Sequence, residues 1–223
     1  SPFAFEPEAG AVIGVLKRGA PVSEIQWIEA PVCFVFHYLN AWNEGELITF
    51  DAIDFPVAPN FPDTDGALPG FAEAQGTLTR WRLDLATGEI ERSSLLDLAC
   101  EFPRIDDRYA MRQHTQAFLA TASQRQRGDG GLFHEVTHLN LDSGATQVWD
   151  AGGGNGVSEP VFVPRHASAK EGEGWLLVTV YDATSQASSL VILDAAAVSG
   201  GPVATARLDH RIPFGFHGSW RAN

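Results

Sequence analysis

Residues 132–150 read LFHEVTHLNLDSGATQVWD, and two folds compete for them. HEVTH, at 134–138, fits the zinc-protease pattern H-E-x-x-H, with His134 and His138 as ligands and Glu135 as general base. That chemistry needs a helix, where residues four apart stack about 6 Å apart along the axis. The local residues specify a strand instead. Val136 and Thr137 are β-branched, glycines precede the run, and Asp142-Ser143-Gly144 ends it with a turn signal. Positions four apart in a strand are separated by roughly 13 Å. Side chains at that distance do not share one metal held about 2 Å from each nitrogen. The stretch is therefore expected to be a β-hairpin carrying surface and cross-strand histidines.

The same grammar recurs along the chain. Candidate strands occupy 11–18, 25–30, 33–42, 46–55, 77–85, 134–141, 174–183, 188–195 and 203–210, with turn residues at 43–45, 86–88, 142–144 and 199–201. Long helical periodicity is absent, so the chain reads as all-β. WRLDLATGEIERSSL at 81–95 resembles THLNLDSGATQVWDA at 137–151, matching Leu83 with Leu139, Leu85 with Leu141 and Gly88 with Gly144. VILDAAAVSGGPVATARL at 191–208 has the same shape. A hairpin recurring at roughly 50–57 residues is either a chance likeness or the blade period of a propeller. Two stretches, 56–76 and 107–130, read as long loops, the first as a loop or lid. The Gly-rich AGGGNG at 151–156 lacks the Gly-Lys-Ser/Thr of a phosphate loop and precedes a strand, so it reads as a crossing between blades.

Composition narrows the function. The 223 residues suffice for one large domain or two small ones, and 44% are hydrophobic, enough for a sizeable core. Fifteen Lys plus Arg face 28 acidic residues, a net charge of −13, which argues against a nucleic-acid partner. Cys33 and Cys100 have neither zinc-ribbon nor disulfide-scaffold spacing. Both lie beside apolar runs and are expected to be buried free thiols in a reducing, cytoplasmic compartment. No uninterrupted apolar run approaches 18 residues. The opening SPFAFEPEAG is not a signal peptide and lacks Met. The two ends are either natural or the cut edges of a longer chain.

Four polar residues stand out among apolar neighbours: His37 in CFVFHYLNAW, Glu101 in ACEFPRID, Glu159 in SEPVFVPR and His217 in IPFGFHGSW. Burying such groups costs several kcal/mol unless they are paired. Two histidines with two glutamates suggest His–carboxylate pairs, the arrangement that fixes the tautomer of a metal-bound imidazole.

FHYLNAWNEG, CEFPRID, EPVFVPR, GWLLVTVYD and PFGFHGSW, in this order, resemble the signature segments of the carotenoid cleavage oxygenases. That family includes carotenoid and apocarotenoid dioxygenases and bacterial lignostilbene dioxygenases. The resemblance runs from about residue 11 to residue 220. It implies a seven-bladed β-propeller in which four axial histidines bind Fe(II) and three glutamates hydrogen-bond to three of them. By similarity His37 and His217 are two of the iron ligands, the third and fourth in chain order. Glu101 and Glu159 are similar to two of the supporting glutamates. Members of the family are about twice as long as this chain. The resemblance therefore implies the C-terminal half of one propeller domain, residues 1–223, with roughly four blades and half an iron site. The N-terminal half would carry the other ligands and complete the domain. His114, His134, His138, His166 and His210 lie outside the matching segments.

The implied reaction is O2-dependent cleavage of a C=C bond in an apolar conjugated substrate (carotenoid, apocarotenoid or stilbene) to two carbonyl products. Peripheral membrane contact of the full-length protein is a further implication. The substrate needs an apolar, aromatic tunnel, toward which Phe34, Phe36, Trp42, Phe214, Phe216 and Trp220 are candidates beside their alternative as core residues. The isolated chain is expected to bind iron weakly and to be inactive. Two other functions compete: a non-catalytic β-propeller used for binding, in which His37 and His217 do not converge, and the zinc hydrolase of HEVTH, which requires a helix at 134–138.

Overall fold

The computed structural model describes residues 2–70, 72–123, 133–152 and 154–221. The chain runs through four antiparallel sheets in succession. Strands β1 (Ala11–Val15) and β2 (Gln26–Ala30) form a hairpin. Strands β3 (Phe34–Glu44), β4 (Leu47–Phe55), β5 (Thr77–Asp84) and β6 (Ile90–Leu96) form the first four-stranded meander. The second holds β7 (Ala99–Arg104), β8 (Gln116–Ala122), β9 (Glu135–Asn140) and β10 (Thr146–Asp150). In the third, β11 (Gly156–Val157) and β12 (Val161–Pro164) pair with successive parts of β13 (Gly174–Asp182), which continues to β14 (Ala187–Asp194) and β15 (Pro202–Arg207). Sequential four-stranded meanders packed face to face are propeller blades. Three full blades and a hairpin are present among the described residues, and the sheets do not close into a ring.

The hairpin likeness read from sequence corresponds to equivalent places in the blades. Gly88 and Gly144 both adopt positive φ, 76° and 71°. Their N–H groups donate back to Asp84 O (2.7 Å) and Asn140 O (2.8 Å). Glycine occupies that conformation at little steric cost. The Asp84 and Asn140 side chains accept turn amides in the same way, and Asp194 does so in the third blade. The outer strands β6 and β10 fall where the repeat places the second arm of its hairpin.

Two apolar cores lie between the blades. Ile53, Phe55, Leu78, Cys100, Leu119 and Leu139 fill the space between the first and second. Phe118, Ala120, Phe162, Leu176, Val178 and Leu193 fill that between the second and third. Strand β8 contributes to both. Its Ala117 and Leu119 face one core and Phe118 and Ala120 the other, so the strand is buried from Ala117 to Ala122. This corrects the reading of 107–130 as one long loop. A strand buried on both faces lacks polar alternation, and a short, mostly apolar run gives no period to detect. Residues 124–130 of that stretch lie outside the described residues. The 56–76 stretch holds no strand among its described residues, and AGGGNG leads from β10 into β11.

HEVTH is a strand. His134 precedes β9 and pairs with Asp150 at 3.0 Å, while His138 bonds Gln116 (2.6 Å) and stacks on Phe118. Glu135 is buried and accepts hydrogen bonds from Thr121 and from Ser123. A carboxylate so engaged is a structural tie, not a free base. Cys100 is fully buried, and burial pushes its thiol up. Cys33 is only half-buried, because it precedes β3 at the margin of the first blade; the expectation of two buried thiols is corrected on that point.

Two predictions follow from this packing. Leu119 has no exposed surface. Leu119→Ala should cost about 2–5 kcal/mol through lost burial and an unfilled cavity, measured by urea denaturation. Burial also pushes the His114 and His138 imidazoles below their ordinary value of 6.5, against the opposing pull of Asp51 on His114. As pH falls, the unfolded chain takes up these protons first. Their contribution to stability is therefore complete above about pH 6.5 and declines below it. The melting temperature should fall from pH 7 to pH 5.5, less steeply in His138→Gln; an equal slope in that variant would contradict this.

Candidate metal centre

Each of the four polar residues singled out in the sequence lies at a break in a β ladder or in irregular chain. His37 is on β3, the first strand of the first blade, where the register with β4 shifts between Val35 and Tyr38. Glu101 is on β7, the first strand of the second blade, where the register shifts between Glu101 and Arg104. Glu159 lies in the gap between β11 and β12, at the start of the third blade. His217 lies in the irregular segment after β15. Ladder breaks re-aim side chains. Here they bring four residues spread over the chain to one place.

Both carboxylates are buried, Glu101 at 6% and Glu159 at 5% exposure. Each accepts hydrogen bonds, although the second Glu101 oxygen, Oε1, is buried without a partner. Glu101 Oε2 accepts from His37 Nδ1 at 2.5 Å and from its neighbour's amide, Phe102 N–H, at 2.6 Å. To make that second bond Phe102 takes φ +53°, the left-handed region that a bulky residue rarely enters. Glu159 Oε1 accepts from His217 Nδ1 at 3.1 Å, and Oε2 accepts from Gly218 N–H at 2.9 Å and Arg104 Nη1 at 3.1 Å. The imidazoles themselves are not buried as the sequence suggested. His37 is half-buried and His217 is exposed, because their far sides face open cavities.

An ionised carboxylate only accepts, so in the neutral rings each Nδ1 carries the proton and each Nε2 presents a lone pair. His37 Nε2 and His217 Nε2 are 3.2 Å apart, with the rings at 87°. Two lone pairs that close repel unless a cation lies beside both. Two nitrogens each about 2.1 Å from one metal, at roughly a right angle, stand about 3 Å apart. The donor set, tautomers and separation fit a divalent metal. Among the described residues no third His, Cys, Asp or Glu joins the pair as a further donor.

The pair borders two cavities. One of about 230 Å³ is lined by both imidazoles, Tyr38, Pro103 and Arg104. Another of about 480 Å³ is lined mainly by apolar groups, among them Phe102, Phe133, Val157, Leu177, Phe214 and Phe216, with His217 at its margin. Of the aromatic candidates, Phe214 and Phe216 line this cavity. Phe34 and Phe36 pack with Phe55 and Phe61 beside His37. Trp42 is buried against His114 and Arg80, away from both imidazoles, and Trp220 is exposed outside the lining. His166 and His210 sit with Ser168 and Asp209, away from the pair. Sequence reasoning gave no role to Phe102 or Arg104. No signal in CEFPRID assigns Arg104 its partners, which lie 55 and 114 residues away.

Comparison with known proteins adds independent support for the fold and the motifs. The family described as retinal pigment epithelial membrane protein matches residues 1–222. Isoeugenol monooxygenase of Pseudomonas putida is 34% identical over 233 residues, 99% of this chain and 48% of that protein. Apocarotenoid-15,15'-oxygenase of Synechocystis is 32% identical over 97% of this chain and 44% of that protein. The crystal structure of a Pseudomonas brassicacearum lignostilbene dioxygenase matches with a TM-score of 0.90 and 30% identity, over 99% of this chain and 48% of that one. The chain thus spans about half the length of the relatives it matches. The chain belongs to the retinal pigment epithelial membrane protein family, the carotenoid cleavage oxygenases.

Proposed function

We propose that this chain supplies half of the iron site of a non-haem Fe(II) dioxygenase that cleaves a C=C bond of a conjugated apolar substrate. The observation that carries this is the pair of Nε2 atoms 3.2 Å apart, each ring held from behind by a buried carboxylate. The relatives named for isoeugenol, apocarotenoid and lignostilbene oxygenation support an alkene as substrate.

His37 and His217 would hold the metal through Nε2. Glu101 and Glu159 keep Nδ1 protonated, aim the rings, and place negative charge behind neutral ligands. When bound, iron would supply the redox chemistry with O2. Phe102, Phe214 and Phe216 form an apolar wall that binds the conjugated chain and excludes water. The reaction balances without an outside reductant: the C=C bond breaks and each former alkene carbon takes one oxygen atom of O2. The remaining nitrogen donors and the rest of the substrate tunnel belong, on this proposal, to the other half of the full-length protein.

In the full-length protein, His37→Ala and His217→Ala should each remove most of the bound iron and lower aldehyde formation from a stilbene or apocarotenoid by at least about 100-fold. Glu101→Gln should weaken metal binding by roughly 10–100-fold. Metal analysis with product chromatography checks these, and full iron with full turnover in either histidine variant would overturn the assignment. The 223-residue chain by itself should bind Fe(II) weakly and cleave nothing. Iron-dependent alkene cleavage by this chain without further sequence would contradict a half-site.

A further inference from the structure

His37 and His217 are held in different ways. His37 rides on an eleven-residue strand hydrogen-bonded to its neighbour. His217 rides on irregular chain, with its side chain 57% exposed. Among the described residues, and apart from the Nε2–Nε2 approach to His37, the hydrogen bonds of residues 213–221 run to Glu159 and Arg104. Something other than secondary structure must therefore fix the second imidazole.

We propose that Arg104 is the positioning residue for His217, a clamp that joins Glu159 to the backbone of Gly218. Its Nη1 donates to Glu159 Oε2 at 3.1 Å and to Gly218 O at 3.0 Å. Gly218 N–H donates to the same Oε2 at 2.9 Å. Both backbone groups of the residue next to His217 are thereby tied to one carboxylate–guanidinium pair. Arg104 Nη2 is anchored in turn on Asp107, at 3.2 Å and 3.4 Å from its two oxygens. Without the guanidinium, the Gly218 carbonyl loses its partner and the segment keeps one backbone bond and the single Nδ1 contact.

The clamp also explains why Glu101 and Arg104 share one strand. Strand β7 presents a carboxylate to the His37 ring and, three residues on, a guanidinium to the carboxylate behind His217. One short strand thus contacts the supports of both imidazoles. A planar, permanently charged fork suits the task, since it bonds a carboxylate and a carbonyl in fixed directions; lysine keeps the charge but loses that geometry.

The inference rests on the metal-site reading above, and its test separates the two. In the full-length protein, Arg104→Met and Arg104→Lys are compared with Arg108→Met, a control arginine bonded to Asp106 and to the carbonyls of Ala167 and Ala169. Amide hydrogen exchange at Gly218 is followed in metal-free protein, and Co(II) binding is followed by its visible spectrum. Arg104→Met should speed Gly218 exchange at least about tenfold, weaken Co(II) binding by roughly 10–100-fold and shift the Co(II) bands. Arg104→Lys should recover part of each effect. Arg108→Met should lower the melting temperature and leave Gly218 exchange and the Co(II) bands as in the unaltered protein. Unaltered Gly218 exchange in Arg104→Met overturns the assignment; if that variant does not fold, unaltered exchange in Arg104→Lys overturns it. Failure of the unaltered protein to bind Co(II) sinks the metal site instead, and the exchange measurement still decides the role of Arg104.

Discussion

A buried carboxylate behind each imidazole is the interaction on which the site depends. Glu101 and Glu159 are almost wholly buried, and an ionised group there is costly unless donors engage it. The donors are two ring Nδ1–H groups, two backbone amides and one guanidinium. Meeting that demand orients both rings, and the orientation leaves two lone pairs facing the same point. The charge that stabilises the acids is thus the same feature that prepares the nitrogens for a cation. Strain at Phe102 belongs to this balance, because its unfavourable φ turns an amide onto Glu101 and its ring toward both histidines.

The propeller is the device that delivers these groups. Each blade repeats the same four-strand meander, so its first strand returns to the same place after about sixty residues. His37, Glu101 and Glu159 all lie on or between first strands, each where the ladder is interrupted. The outer hairpins, with their repeated Asp or Asn and positive-φ Gly, keep the meander in register and take no part in the chemistry. Two interblade cores hold the blades together, and β8, buried on both faces, belongs to both.

Much of this was legible in the residues. Alternating strands such as Gly174–Asp182 announce themselves, because one face is apolar and the other partly polar. The hairpin at 134–150 was legible from its β-branched residues and its Asp-Ser-Gly turn, and with it the dismissal of HEVTH as a helical zinc site. The pairing of two histidines with two glutamates was readable from their apolar neighbourhoods and from the five ordered motifs. Strand β8 was not readable, since a short run buried on both sides has no period. The exposure of His217 was not readable either, because apolar neighbours in sequence do not say which side of a ring meets a cavity.

The sequence by itself determined the all-β class and the family and singled out four polar residues, because strand alternation, turn chemistry and motif order are local properties. Only the tertiary structure decided that His37 Nε2 and His217 Nε2 stand 3.2 Å apart, that each glutamate serves one particular ring, and that Arg104 ties Glu159 to Gly218. Those facts depend on ladder breaks and on the packing of one blade against the next. They join residues up to 180 positions apart, a distance over which no local pattern carries information.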